Sequence, residues 1–468
     1  MNATRDILFI LTALFSLGGW SCISDDFTTD PSSTLTFSRD TVNFGAVFTD
    51  LNTPTARLVV KNPNSRGVNI SKIGFEDPET PFRLNVDGVS GYDFHDVEIR
   101  GRDSIYLFIE CYINSDDSNE LRKVSDRLRF ETNGVSQTVE VEAWAWNVNR
   151  LKGITVTEDT RLTSERPYII FDSLAVERGA TLSVDPGVMM LFHDKAKMTV
   201  RGRLLAEGTP EKMIWMRGDR LDDVLPDVGY DILAGQWGGV EIARESFGNR
   251  LEYVDMRSTV FGLKIDSCGD ISANKLTLVN SWLHNSQGNA LRSEYSHVDA
   301  FGCCFSEAAG AVVSLTGGKH KFVQCTIANA YLFSSLYQPN LMLTHCLPED
   351  ADENEEPLMS ASFENCIIWG EIGDPLEPGD LTGSDVFFRD VLLKAEGSDD
   401  DNFINCLWNE DPLYYTIRSD YYFNYRLQPE SPAIGRGNAS YVTSECEIDM
   451  DGVARLANGA PALGAYAE

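Results

Sequence analysis

From Leu35 to about Asn147 the apolar positions come in short alternating runs: Leu35/Phe37, Val42/Phe44/Ala46, Leu58/Val60, Ile70/Ile73, Phe82/Leu84/Val86, Ile105/Leu107/Ile109, Leu128/Phe130 and Val139/Val141/Ala143. A period of two puts one face of each run against a core and the other in water. About eight such runs in roughly 110 residues, with no segment of helical period, predict a β-sandwich. Near Gly153 the rule changes. Thr181-Leu182-Ser183-Val184 closes on Asp185-Pro186-Gly187, and Met198-Thr199-Val200 closes on Arg201-Gly202. Strands of three to five residues, each ended by Gly or Pro-Gly, are what a coil with tight corners requires.

The repeat can be followed by its inward positions. Val254, Leu276, Cys303, Cys325, Cys346, Cys366, Val391 and Cys406 are expected to be equivalent, with gaps of 22, 27, 22, 21, 20, 25 and 15 residues. Three strands and their corners use about that many residues, and the last gap is too short for a full coil. Coils stack at about 4.8 Å, so small apolar side chains form columns. Cys303, Cys325, Cys346 and Cys366 then read as a stack of buried free thiols rather than disulfides or metal ligands.

The chain starts differently. Arg5 precedes the apolar run Ile7–Phe15, too short to span a bilayer but suited to the core of a signal peptide. Leu17-Gly18-Gly19-Trp20-Ser21-Cys22 resembles a lipoprotein processing site, which implies acylation of Cys22 as the new N-terminus. Ile23-Ser24-Asp25-Asp26 resembles the acidic signal that sends lipoproteins of the Bacteroidota to the outer face of the outer membrane. Of 10 cysteines, removing Cys22 leaves an odd number, so at least one is expected to be free. No other apolar stretch has the length of a transmembrane helix, so the lipid is the expected anchor.

Further resemblances give the elements a family context. Val42-Asn43-Phe44-Gly45-Ala46-Val47, Val59-Val60-Lys61-Asn62 and Ile70-Ser71-Lys72-Ile73 resemble immunoglobulin-like sandwiches of the ASH and HYDIN type, which implies a spacer or protein-binding module. The phrases around Leu174–Val188 and Met198–Thr209, with Gln236-Trp237-Gly238-Gly239, resemble bacterial right-handed parallel β-helix proteins. Asp411-Pro412, Ser431-Pro432-Ala433-Ile434-Gly435, Asp449-Met450-Asp451-Gly452 and Leu463-Gly464-Ala465-Tyr466 resemble the terminal cap of surface β-helix proteins, the choice-of-anchor region. The expected fold is therefore all-β. A signal peptide (1–21), lipidated Cys22 with a tether (22–34), an Ig-like β-sandwich (35–150), a right-handed parallel β-helix (151–410) and a cap over its open end (411–468) follow in order.

Charge narrows the partners. With 71 acidic against 39 basic residues the net charge is −32, which repels nucleic acid and acidic polysaccharide. A neutral glycan or an outer-membrane protein partner fits better. The acidic pairs Asp116-Asp117, Asp222-Asp223 and Asp399-Asp400-Asp401 lie in polar stretches and read as solvated turns. The run 349–356 offers carboxylates for calcium without a spacing that fixes their geometry, and Asp449-Met450-Asp451-Gly452 is half a calcium loop, so no cofactor is expected.

β-Helix relatives include polysaccharide lyases and hydrolases, which implies a search for a site. There is no Gly-His-Gly, the six histidines are scattered, and Lys319-His320-Lys321, the one small basic cluster in the coil, reads as a surface turn after Gly317-Gly318 or else as a lyase-like base with neutralising cations. No residue is nominated as catalytic. Trp408, Tyr414, Tyr415, Tyr421, Tyr422 and Tyr425 crowd one segment; they are expected to seal the end of the coil, or else to stack on sugar faces or a partner. The resulting expectation is a non-enzymatic surface lipoprotein that binds glycan or serves a membrane complex. The alternative, a polysaccharide-degrading enzyme, calls for a cleft with clustered carboxylates or Lys/Arg on one face of adjacent coils, with loops 217–235 and 347–360 as candidates to cover it.

Overall fold

The computed structural model describes residues 26–225, 228–346, 358–371, 376–378 and 381–467. Cys22, the leader and the acidic run 349–356 lie outside the described residues. The chain divides into two compact units, Met1–Trp146 and Asn147–Glu468.

In the first unit, one sheet of five strands and one of six enclose a core that includes Val42, Leu58, Ile70, Phe82, Leu107, Phe130 and Val141. The two-residue period is visible in Arg122–Thr132 and Val135–Trp146, whose inward residues are buried while their neighbours face water. Pairing is antiparallel except where Val135–Trp146 meets Thr41–Phe48 and at the isolated bridge of Phe27 with Gly67, both parallel. Residues 26–28 depart from the expected tether: Thr28 N–H donates to the Gly67 carbonyl at 2.8 Å, and Asp26 pairs with Arg66. The part of the tether that is described is thus fixed to the sandwich.

The second unit is a parallel β-helix. Its coil strands form three parallel ladders, one strand of each per coil except in the last. The first runs through Lys197–Val200, Val240–Ile242, Leu263–Ile265, Leu291–Glu294, Val313–Thr316 and Leu341–Thr344. The second runs through Met189–Phe192, Ile214–Gly218, Val254–Thr259, Trp282–Ser286, Cys304–Ala308, Thr326–Asn329, Ile367–Gly370, Leu392–Leu393 and Leu407–Trp408. A third, from Thr160–Leu162 to Phe403–Ile404, completes each coil.

Inside, like stacks on like. Phe322, Phe363, Phe388 and Phe403 form a column with ring centroids 5.2, 4.9 and 4.7 Å apart, close to the rung spacing. Cys303, Cys325 and Cys366 form another, just before ladder two, followed by Val391 and the half-buried Cys406. Two expected members are misplaced. Leu276 begins a strand of the third ladder, and Ser281 takes its position. Cys346 lies just beyond the ladder-one strand Leu341–Thr344, half-buried, because a single long coil of 41 residues separates Cys325 from Cys366. All nine cysteines in the described residues are free.

From Val254 onward each turn into ladder two passes through a left-handed residue, supplied by Tyr253 (φ 47°), Asn280 (φ 42°), Gly302 (φ 64°), Gln324 (φ 55°), Asn365 (φ 53°), Asp390 (φ 52°) and Asn405 (φ 54°). Asn and Gly tolerate this region best, which explains the recurring Asn-Cys phrase. The last coil is short because no ladder-one strand stands between Leu393 and Phe403. Residues 411–467 then fold back along the outward side of ladder two. Leu427, Ala433 and Leu463 cover Ile367, Leu392 and Leu407, while Tyr425 and Tyr466 cover Cys304 and Ala328. The covering is lateral, and it reaches back to Arg250, which pairs with Glu445 at 2.8 Å.

Candidate functional site

On the earlier coils the outward face of ladder two is polar. Along Val254–Thr259, Val254 and Met256 point inward, so Asp255 and Arg257 point out. The register sets Trp282 beside Asp255, His284 beside Arg257, and Ser306 beside His284. The next position along these strands is left-handed in three successive coils, at Ser258 (φ 66°), Asn285 (φ 57°) and Glu307 (φ 42°). Glutamate gains little there compared with Gly or Asn, and strain of this kind concentrates at functional sites.

These residues form one connected network. Arg257 binds Asp255 through two nitrogens and Asp231 through a third at 2.7 Å. Arg217 reaches the same Asp231 oxygen at 3.2 Å. His284 lies on Trp282, rings stacked at 4.0 Å, with Nε2 3.2 Å from Asp255 Oδ1 and Nδ1 4.0 Å from Glu307 Oε2. The Trp282 indole donates to Ser306 Oγ at 2.8 Å, the Ser306 hydroxyl donates to Glu307 Oε2 at 2.6 Å, and the Tyr425 hydroxyl donates to Glu307 Oε1.

Burial and charge set the protonation states. Burial works to raise Asp255, yet Arg257 and His284 hold it well below the carboxylate range. Burial also opposes the charge on Arg257, and Asp255 with Asp231 more than compensates, so it stays cationic. Burial, helped by Arg257, lowers His284, so the ring is neutral at pH 7. A neutral imidazole facing an ionised carboxylate keeps its proton on Nε2, which leaves Nδ1 as an acceptor. Burial raises Glu307 to about 7 although both hydroxyl donors work the other way.

Three segments stand around this floor and enclose a cavity of about 340 Å³. One is the excursion between Gly218 and Gln236, which brings Val228, Asp231 and Ile232. Its return is pinned by Trp237, which stacks on Phe192 at 4.0 Å and donates to the Arg257 carbonyl at 2.7 Å. The second is the loop after Asn329, with Tyr331 and Phe333 edge to face at 5.8 Å. Arg418 holds this loop by donating to the Ala330 and Tyr331 carbonyls at 3.1 and 2.8 Å. The third is the segment Asp420–Phe423.

The six aromatic residues singled out in the sequence divide into three groups. Tyr421 and Tyr422 are exposed and line the cavity. Tyr425 is buried and Tyr414 half-buried, with rings edge to face at 5.1 Å, and Trp408 packs on Phe403 at 5.2 Å while its indole donates to Asp399 at 3.1 Å. Tyr415 is exposed away from the cavity. Lys319-His320-Lys321 is a strand of the third ladder rather than a turn, and His320 is buried against the Gly317 carbonyl at 2.8 Å. Asp449 organises a turn, accepting from the Asp451 and Val453 amides at 2.9 and 2.8 Å. No cluster of three potential metal ligands occurs among the described residues.

Asp231, Asp255, Arg257, His284 and Glu307 escape the sequence reading as a group. Asp255 and His284 are 29 residues apart, and Glu307 and Tyr425 are 118 apart. The usable signal is the one-residue offset from the inward column: once Ser281 and Cys303 are aligned, the outward residues that follow them fall into register.

No family model matches the chain, and no curated protein matches it. Solved structures share local likeness with it. A family 123 glycoside hydrolase from Clostridium perfringens is 11% identical, with a TM-score of 0.18 over 24% of this chain and 26% of its own. A protein of unknown function from Porphyromonas gingivalis is 10% identical, with a TM-score of 0.19 over 28% and 60%. An ASH/PapD-like domain of human CEP192 is 10% identical, with a TM-score of 0.18 over 26% and 89%. The chain therefore spans a quarter to three fifths of the first two, and likeness at these scores carries no argument about activity.

Proposed function

We propose that the protein is a lipid-anchored surface protein that binds a neutral carbohydrate in the cavity on ladder two. The observation that carries this reading is the lining itself. Trp282, Tyr331, Phe333, Tyr421 and Tyr422 supply ring faces, and the floor supplies hydrogen-bonding groups whose charges cancel. Asp231 and Asp255 balance Arg217 and Arg257, while His284 is neutral. Such a floor has no spare cation for a uronate or phosphate, whereas the hydroxyls of a neutral sugar can both donate to His284 Nδ1 and accept from protonated Glu307.

Anchoring rests on the sequence: acylation at Cys22 and export to the outer face of an outer membrane, as Ser24-Asp25-Asp26 suggests. The accessory-subunit alternative needs no such cavity, so the glycan reading is preferred. The test is binding of neutral oligosaccharides by the purified protein and by Tyr421→Ala/Tyr422→Ala. Affinity should fall at least about tenfold on loss of the two rings, on the scale of stacking anchors. Equal binding by the variant, or none by either protein, would remove the cavity from the argument.

A further inference from the structure

We propose that this cavity also hydrolyses the bond of the glycoside it holds, with Glu307 as proton donor and Asp231 as the carboxylate that takes the proton of the attacking water. The inference rests on the neutral-carbohydrate reading and assigns that site a reaction.

Of the three carboxyl groups that line the cavity, Asp420 stands on the C-terminal wall, while Glu307 from the coil and Asp231 from the excursion above it belong to the network of the floor. Their surroundings are opposite. Glu307 is 3% exposed, with one oxygen held by Ser306 and the other by Tyr425. Among the described residues no Lys or Arg forms an ion pair with it. Its charged and titratable neighbours are His284, Tyr425 and Cys304, with Asp255, Arg257 and Asp231 beyond them. Asp231 faces two guanidinium groups that share its Oδ2, and Oδ1 takes neither of them. Glu307 is thus disposed to hold a proton, while Asp231 is held by cations through one oxygen and keeps the other clear of them, the division of labour that glycoside hydrolysis needs.

Asp231 is held by Arg257 at 2.7 Å and, through its carbonyl, by the Asn285 side chain, which lies one rung from Glu307. Direct displacement by water, the course these roles imply, inverts the anomeric carbon. In the step, the Glu307 proton passes to the glycosidic oxygen as the bond from that oxygen to the anomeric carbon breaks and its electron pair stays with the leaving oxygen. Water forms the new bond to the anomeric carbon and gives its proton to Asp231 Oδ1. Solvent exchange returns one proton from Asp231 to Glu307, so a single water is consumed. His284, fixed by Asp255 and 4.0 Å from Glu307, is a positioning residue. Walls on three sides suit the terminal ring of a chain.

The test uses the full mature chain and a panel of neutral glycosides, each as its 4-nitrophenyl derivative and as an unactivated oligosaccharide, with binding and turnover measured in parallel. Turnover with inversion at the anomeric carbon is expected. Glu307→Gln should lower kcat/KM by 10²–10⁴ on oligosaccharides and far less on nitrophenyl glycosides, whose leaving group needs no acid. Asp231→Asn should lower both alike. The rate on oligosaccharides should fall above about pH 7, and Glu307→Gln should abolish that limb. Binding without turnover, retention of configuration, or full activity in Glu307→Gln overturns the catalytic assignment and leaves the binding reading intact. Absence of both binding and turnover across the panel overturns both.

Discussion

Ladder two presents two different outer faces on one backbone. On the coils that carry Asp255, Trp282, His284 and Ser306, the outward positions are polar or aromatic and stand beneath a cavity. Further along, the same columns hold Ile367, Leu392 and Leu407, and the returning C-terminal segment seals them with Leu427, Ala433 and Leu463. The inward positions hardly differ. A parallel coil is thus indifferent to what it shows outside, and the outer side chains decide whether a stretch is closed by chain or left for a ligand. Glu307 and Tyr425 meet where one regime gives way to the other.

The comparison can be broken most severely at its charged half. Arg257→Ala leaves the buried Asp255 without its cation and Asp231 with Arg217 alone, and should cost about 3 to 5 kcal/mol in urea unfolding of the second unit. A loss under about 1 kcal/mol would mean that the network is solvated and the two faces are less different than their burial indicates.

Next comes the pH dependence of Glu307. Its folded value, about 7, lies above its usual 4.5, so the folded state holds the proton more tightly than the unfolded one. Stability from this group therefore declines as pH rises from about 4.5 to 7 and stays lowered above, by on the order of 3 kcal/mol. Unfolding across that window, with Glu307→Gln as the control, should show the decline in the parent and its absence in the variant.

In the apolar half, Leu392→Ala should cost about 2 kcal/mol, the low end for such a truncation because a single covering layer can settle onto the gap. Binding in the cavity should be unaffected, and a parallel loss of binding would show that the two faces are coupled. The smallest effect is expected at the boundary. Tyr425→Phe removes one donor to Glu307, at about 1 kcal/mol, and should move the Glu307 titration upward because a bond to the ionised form is lost. A downward movement would contradict the hydrogen-bond assignment.

The all-β class and the change from sandwich to coil were legible because both depend on local rules: alternation in Leu128/Phe130, Gly or Pro-Gly at the corners, left-handed Asn before Cys366 and Cys406. Register was legible only where coils are short. Between Cys325 and Cys366 the long coil contains both the cavity wall at Tyr331 and the strand Leu341–Thr344, and an apolar residue at the usual spacing, Cys346, imitates the missing member. Leu276 was mistaken for the same reason, since all three ladders put small and branched apolar residues inside. The site was hidden more deeply. His284 looks isolated in sequence, and its partners appear only when three coils are stacked. The aromatic cluster was visible, but its division into Tyr421 and Tyr422 at the cavity and Tyr414 and Tyr425 in packing depends on how residues 411–467 turn back.

The thiol column carries one further consequence. Cys303, Cys325 and Cys366 are fully buried, and burial pushes Cys325 well above the ordinary thiol range, so an alkylating reagent in water meets none of them while the coils are closed. Their labelling rate would then count how often neighbouring coils part company, coil by coil, without any probe being added. The molecule carries its own strain gauge, buried at the coils where the cavity ends and the sealed stretch begins.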